Sequence, residues 1–341
     1  MRIAVDIMGG DFAPQVIVEG AVKAATENPQ LQIILVGKSE VLQTLSALPN
    51  NVSTVMAATV MGMDEPVENL MGKKDSSIWV ASKLVKDGAA DAVVSAGSTA
   101  AQMACGLLLF GRIAGISRPA LATVIPTARG GKILLDVGAN ADCTALMLLQ
   151  FALMGDIYAK IVLGIDDPQV ALLSNGSEAG KGNKLAVEAH NLLEASGVNF
   201  IGNREGRDVA AGNYDVLVTD GFTGNVVLKL MEGLSSTLFS IIKEELQKSA
   251  NRKIGGMLVR PAFKDIKKSM DYAEYGGAPL VGVKGISIIC HGSSNAKAIK
   301  NAIKVAEKCL KGDFVAKINQ ALNKNNEKKQ DSEDLKDKVD A

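Results

Sequence analysis

Arg2-Ile3-Ala4-Val5-Asp6-Ile7-Met8-Gly9-Gly10-Asp11 is the stretch that decides the fold class. Its apolar run over Ile3–Ile7 has no regular polar alternation, so both faces need cover, as in a parallel strand flanked by helices. The run ends in glycines and acids, and a helical apolar period follows over Gln15–Glu27. Strand, glycine-rich turn and helix then recur outward along the chain. Further strands are expected at Gln32–Val36, Ala92–Ser95, Leu121–Ile125, Ile133–Val137, Val170–Leu173, Asn199–Ile201, Val216–Thr219 and Val281–Ile289. Helices are expected at Ser76–Asp87, Ala100–Ile113, Lys184–Ser196 and Asn225–Ser249, and Ser294–Leu322 reads as a long amphipathic cap. This alternation predicts an α/β fold wound on a parallel sheet. Ligands in such sheets bind beyond the carboxyl ends of the strands, so the loops after strands carry the functional reading.

Composition narrows the class. The chain has 341 residues, 47% of them hydrophobic and only 4% aromatic, so the core is aliphatic. Its 34 glycines exceed the ~7% of an average protein and gather at strand ends. Basic and acidic residues balance at 37 each, which gives nucleic-acid binding no global electrostatic support. Cys105, Cys143, Cys290 and Cys309 show no paired spacing and read as reduced thiols of a cytoplasmic protein. With His190 and His291 as the sole histidines, a His-rich metal site is not expected, and no cofactor motif is present. Neither a signal peptide nor an unbroken membrane-length apolar run is expected. One large domain is expected over residues 1–322, followed by a charged, disordered tail over 323–341. Residues 249–279 break the pattern, mixing apolar residues with Arg252, Lys253, Arg260, Lys264, Lys267 and Lys268. The segment reads either as a protruding basic amphipathic contact for a membrane surface or acidic partner, or as a helical hairpin with solvated lysines.

Six loops follow predicted strands: Asp6–Asp11, Ser95–Thr99, Asp136–Asp142, Asn175–Asn183, Thr219–Asn225 and His291–Asn295. Each places glycine, hydroxyl or carboxamide groups beside a helix start, which suits an anion. Around one sheet edge they would share one site. Asp, Asn and Ser are also preferred helix caps, so each loop alone has that simpler reading. The loop at Gly176–Gly182 is one residue short of a P-loop, and Gly182 stands where Ser or Thr would bind magnesium. No dinucleotide fingerprint, nucleophile elbow or H-E-x-x-H is present. Lys181, between Gly180 and Gly182, reads as a cation for phosphate or an oxyanion, or as a solvated lysine. Asn225 reads as a carbonyl-directed amide or a helix cap, and His291 as a ligand contact or a satisfied strand-end histidine. Cys143 has no histidine near it in sequence to activate it as a nucleophile.

Taken together, Ala4–Asp11, Ser95-Ala96-Gly97, Leu135–Asn140, Gly180-Lys181-Gly182-Asn183, Phe200-Ile201-Gly202-Asn203, Asp220–Asn225, Tyr275–Pro279 and His291–Ser294 resemble the phosphate acyltransferase (PlsX) family of bacterial phospholipid synthesis. The resemblance spans residues 1–310 in order. It implies a three-layer α/β/α fold like that of isocitrate dehydrogenases and phosphotransacetylases. It implies the reaction of acyl-[acyl carrier protein] with inorganic phosphate to give acyl-phosphate and free carrier protein. Catalysis falls on Lys181 and Asn225, and Asp6, Gly9, Gly10, Gly97, Ser98, Thr99, Gly138, Asn140, Asn183, Asp220, Thr223 and His291 become candidate substrate or phosphate contacts. It further implies a homodimer, peripheral membrane association, and delivery of product to a membrane glycerol-3-phosphate acyltransferase. This chain has Ser98 and Ala100 where the family commonly has Asn and Gly, and Thr144-Ala145 where it often has Lys-Pro. Competing readings are a phosphotransacetylase-like enzyme acting on acyl-coenzyme A, a metal- and nicotinamide-dependent dehydrogenase of the same fold, and a non-catalytic carrier- or lipid-binding scaffold.

Overall fold

In the computed structural model the described residues are 1–325, apart from the side chains of Lys267, Lys268 and Tyr272. The first part of the chain runs β1 (Arg2–Asp6), α1 (Gln15–Glu27), β2 (Gln32–Gly37), α2 (Ser39–Leu42), β3 (Val52–Met56), α3 (Ser77–Lys86), β4 (Ala92–Ser95) and α4 (Thr99–Cys105). The middle runs β5 (Ala120–Thr127), β6 (Gly130–Leu135), α5 (Ala145–Tyr158), β7 (Gln169–Leu173), α6 (Lys184–Glu194), β8 (Asn199–Arg204), α7 (Gly206–Ala211) and β9 (Val216–Val218). Two long helices, α8 (Gly221–Gln247) and α9 (Ala250–Ser269), then precede β10 (Ala278–Val281), β11 (Ile286–Ile289) and α10 (Ala296–Lys311). All strands among the described residues join one sheet in the order β3-β2-β1-β4-β11-β10-β5-β6-β9-β7-β8.

Alternate residues of each strand enter different cores. Ile3, Val5, Ile33, Leu35, Ile133, Leu135, Val216 and Val218 pack with α1, α5, α6 and α10 on one face. Ala4, Val36 and Val93 pack with α3 and α4 on the other, and Leu134, Ala171 and Leu217 with residues of α7 and α8. The result is the three-layer α/β/α architecture. Burial of each such Val, Ile or Leu side chain contributes ~1.5–3 kcal/mol, and Phe151, Tyr158 and Tyr214 are fully buried among them.

Seven of the ten strand pairings are parallel. The other three decide where the loops go. β11 with β10, β10 with β5, and β5 with β6 are each antiparallel. Strand sense therefore reverses three times between β11 and β6. The loops after β1, β4 and β11 leave one end of the sheet, and those after β6, β9 and β7 leave the other. The expected single edge of six loops is in fact two groups of three.

Other differences are local. The stretch Val281–Ile289 is two strands, because Gly282 takes a φ of 92° and turns the chain. The edge strand β3, with its polar Ser53 and Thr54, has too weak a pattern to be foreseen. The expected long cap breaks after α10, where Asp313 has a φ of 50°, and resumes over 314–325. The boundary placed at residue 323 falls inside that last helical run, and the remainder of the expected tail, 326–341, lies outside the described residues.

The protruding segment also begins earlier than expected. It comprises most of α8 with α9, while Ala273 and β10 are already back in the core. Val226, Leu230, Leu234, Leu238 and Ile241 on α8, and Ile254, Met257 and Leu258 on α9, are exposed. α8 is long and apolar enough to cross a membrane by length and composition, as is the run Ala145–Leu163 that contains the core helix α5.

Candidate active site

The loops after β1, β4 and β11 form a braced cluster. Asp6 closes β1 and is 1% exposed. Its Oδ2 accepts the Ser95 hydroxyl at 2.8 Å and its Oδ1 the Met8 N–H at 3.1 Å. Ser95 Oγ in turn accepts the Gly97 N–H at 3.0 Å. Burial pushes the Asp6 carboxyl up, and the hydrogen bonds from Ser95 and Met8 pull it back toward the charged form. Asp6 is thus a brace for the Gly9–Gly10 and Gly97–Thr99 loops. Ser98 Oγ caps α4 by accepting the Ala101 N–H at 3.4 Å, the simpler of its two readings. Thr99 is exposed at the first turn of α4.

The second cluster is built around Asp136, at the end of β6. This fully buried carboxylate accepts the N–H groups of Leu121 at 2.9 Å, Ala139 at 3.1 Å and Asn140 at 2.8 Å, plus Asn140 Nδ2 at 2.9 Å. Burial pushes the Asp136 carboxyl up, against these bonds. Asn140 also donates from Nδ2 to the Pro119 carbonyl at 2.8 Å, so its NH2 group holds the loop. The start of α8 rests directly on this loop: Gly221 N donates to the Asn140 carbonyl at 2.7 Å. A side chain at Gly224 would strike the Asp136 carbonyl oxygen at 1.9 Å, so glycine alone permits this approach.

α8 begins at Gly221, not at Asn225. Asp220 is its cap, accepting the Thr223 N–H and Thr223 Oγ1, each at 2.8 Å. Asn225 therefore lies inside the helix, exposed and free of the capping role. Its side chain lies over Gly138, whose φ of 130° leaves that side open: an added Cβ there would meet Asn225 Cβ and Cγ at 3.7 Å.

The third loop of this group follows β7. Lys181 is exposed at its tip, its N–H donating to the Glu178 carbonyl at 3.0 Å and its carbonyl accepting Ser174 Oγ at 3.1 Å. Asn183 caps α6 through Oδ1, accepting the Ala186 N–H at 2.9 Å, which leaves its NH2 group for a ligand. Ser174, Asn175, Gly182 and Asn183 form one wall of a cavity of about 510 Å3, and Thr219, Asp220 and Thr223 form another. Its floor is aliphatic: Leu148, Leu172, Leu185 and Val227. The N-termini of α6 and α8 both open on this cavity, which favours negative charge there.

One contact joins the two clusters. Lys229, one turn beyond Asn225 on α8, has its Nζ 3.4 Å from His291 Nε2. His291 Nδ1 accepts the Ser293 N–H at 3.2 Å and lies 2.7 Å from Ser293 Oγ. Lys229 escaped the sequence reading, although the i,i+4 spacing from Asn225 places it on the same helix face. Cys143 also sits by this loop, donating to the Asn140 carbonyl at 3.5 Å. Burial pushes its thiol up to about 11, the opposite of what a nucleophile needs. No group of acidic, Cys and His side chains suited to a metal occurs among the described residues. Arg252, Lys253, Arg260 and Lys264 are exposed on α9, and Arg252 is paired with Glu245 of α8 at 2.7 Å.

A cavity with polar walls and an apolar floor, bordered by the loop that carries Lys181 and the helix that carries Asn225, suits transfer of an acyl group to or from an anion. The family model described as "Fatty acid synthesis protein" matches residues 1–317. Curated relatives are named phosphate acyltransferase. That of Heliobacterium modesticaldum is 53% identical over 328 residues, 94% of this chain and 98% of the relative. That of Moorella thermoacetica is 53% identical over 322 residues, 93% and 95% of the two chains. Among solved structures, a phosphotransacetylase from Streptococcus pyogenes superposes with a TM-score of 0.61 at 20% identity, covering 91% of this chain and 94% of that one. At that identity the likeness speaks for the fold.

Proposed function

The chain belongs to the fatty acid synthesis protein family, as a phosphate acyltransferase, and from that premise we propose that it converts acyl-[acyl carrier protein] and inorganic phosphate into acyl-phosphate and free carrier protein. The observation that carries this reading is the seating of Asn225 over Gly138, beside a cavity walled by the Lys181 loop. Phosphate is anionic at neutral pH and needs no strong base to attack a thioester. The tasks left to the protein are to place the phosphate and to stabilise the tetrahedral oxyanion. Lys181 supplies the cation for one or both. Asn225 orients the carbonyl with its amide. The α6 and α8 N-termini add backbone donors, with the Asn183 amide at the cavity wall. The aliphatic floor at Leu148, Leu172 and Val227 takes the start of the acyl chain. Nothing here requires Cys143, in keeping with its raised pKa.

The exposed apolar rows of α8 and α9 support the homodimer and the peripheral membrane contact implied by the family, and the basic residues of α9 suit an acidic carrier or anionic lipid. Acyl-phosphate is a reactive mixed anhydride. Consumption by a membrane glycerol-3-phosphate acyltransferase would give this cytoplasmic-side enzyme its place in phospholipid synthesis.

The test is to incubate the protein with a long-chain acyl-carrier protein, with and without phosphate, and to trap acyl-phosphate with hydroxylamine. Phosphate-dependent hydroxamate with release of carrier thiol is expected. Lys181→Ala should lose at least ~100-fold in rate while remaining folded. Turnover with acyl-coenzyme A alone would move the assignment to a phosphotransacetylase-like activity, and normal turnover of Lys181→Ala would remove Lys181 from the mechanism.

A further inference from the structure

Phe200-Ile201-Gly202-Asn203 plays no part in the chemistry described so far, yet its backbone is unusual. It lies on β8, the edge strand beside β7. Pairing is regular at Gln169↔Asn199 and Val170↔Phe200, then slips, so that Leu172 faces Asn203. The extra residue falls at Ile201-Gly202, and Gly202 takes a φ of 83°, which a side chain resists. In a regular strand, residues three apart point to opposite faces. The bulge cancels that alternation and turns Asn203 onto the face of Phe200. Both now meet His190 of α6. The Phe200 ring lies edge-on to the imidazole at 5.1 Å, and Asn203 Oδ1 is 2.9 Å from His190 Nδ1.

Asn203 and His190 are 1% and 6% exposed, so the pair is sealed from solvent. The far end of the Asn203 amide reaches the Lys181 turn: Nδ2 donates to the Glu178 carbonyl at 2.9 Å. A carbonyl only accepts, which fixes the amide's orientation, and its Oδ1 in turn requires the proton on His190 Nδ1. The same Glu178 carbonyl accepts the Lys181 N–H at 3.0 Å and so closes the turn. An unbroken chain of hydrogen bonds thus runs from His190 through Asn203 to the main chain of Lys181.

We propose that Asn203, oriented by His190, is a positioning residue that fixes the Glu178–Lys181 turn and thereby the Lys181 ammonium. The inference rests on the reading of Lys181 as the cation of the reaction. A tightly satisfied buried amide would also stabilise an edge strand, so the test must separate position from stability.

Asn203→Asp does this, because it keeps the volume and the acceptor for His190 while losing the donor to Glu178. With a long-chain acyl-carrier protein and phosphate, kcat of this variant should fall by ~10- to 100-fold, the scale of an ångström-level misplacement. The KM for phosphate should change little where the ammonium meets the oxyanion, and should rise as well where it also holds bound phosphate. In a Lys181→Ala background the same substitution should cost less than ~2-fold, since no ammonium remains to be placed. His190→Asn presents an N–H near the Nδ1 position and should retain more activity than His190→Ala. Normal kcat in a folded Asn203→Asp, or equal losses in both backgrounds, overturns the proposal and leaves Lys181's role intact. Normal turnover of Lys181→Ala alone overturns both.

Discussion

Replacing Gly224 by alanine asks whether backbone contact at the start of α8 sets the position of Asn225. A methyl carbon at Gly224 would fall 1.9 Å from the Asp136 carbonyl oxygen and 3.0 Å from its carbonyl carbon. Ordinary contact begins near 3.4 Å, so the two backbones must part by about 1.5 Å. Asp136 is poorly placed to yield. It is fully buried, its carboxylate gathers three backbone N–H groups, and its own N–H donates to the Thr219 carbonyl at 3.1 Å. The helix start moves instead, taking its neighbour Asn225 with it. Overpacking of this kind costs ~1–3 kcal/mol of stability. Misplacing a reacting group by ~1 Å costs up to ~100-fold in rate. Calorimetry should therefore show a folded Gly224→Ala with a Tm lowered by some degrees, and the hydroxamate assay a loss of ~100-fold in kcat. Gly233 lies on the same helix with nothing within 4 Å of an added methyl. Gly233→Ala should keep its rate and gain ~1 kcal/mol from helix propensity. Wild-type turnover in Gly224→Ala would refute the idea that this close approach places Asn225.

Three further outcomes are open to measurement. Cys143→Ala should turn over normally, and alkylation of Cys143, followed by mass spectrometry, should be slow at neutral pH and accelerate toward about pH 11; rapid labelling at neutral pH would contradict the raised pKa. Leu148→Trp, which fills the cavity floor, should depress turnover of long acyl donors more than short ones, whereas an equal loss at every chain length would place the acyl chain elsewhere. Lys300 and Lys304 hold the Glu27 carboxyl at about 2, so the tie it makes between α1 and α10 is present above the usual carboxylate range and is lost as pH falls through about 2. The Tm gap between wild type and Glu27→Gln should close across that window, and a gap unchanged at pH 2 would show that the ion pairs are not its source.

The strands and helices were legible because the aliphatic runs are strong: Ile3–Ile7 and Ile133–Val137 have few competing readings. Strand direction was not legible. A run such as Leu121–Ile125 has the same apolar content whether it pairs parallel or antiparallel, and the reversals at β10, β5 and β6 depend on which strands meet across the sheet. That is why the loops separate into two groups. The Val281–Ile289 run shows the same limit on a smaller scale, since Gly282 carries a turn that hydrophobicity does not record.

The polar candidate residues differ in what the fold asks of them, for one physical reason. Lys181 and Asn225 stand free of structural duties, and glycine-flanked exposure is visible in a sequence. Asp6, Ser98, Asn140 and Asp220 are of the same chemical types, but they also hold loops and cap helices, and of the four Asp220 lines the cavity as well. Short polar side chains serve both purposes, and only the third dimension says which partner they meet. Asn203 is the converse case. Its proposed role depends on a bulge that moves it to the other face of β8, so the period-2 rule that finds strands assigns it to the wrong side. The residues hardest to read are therefore those at which backbone irregularity redirects a side chain, and here one such irregularity leads straight to the turn that carries Lys181.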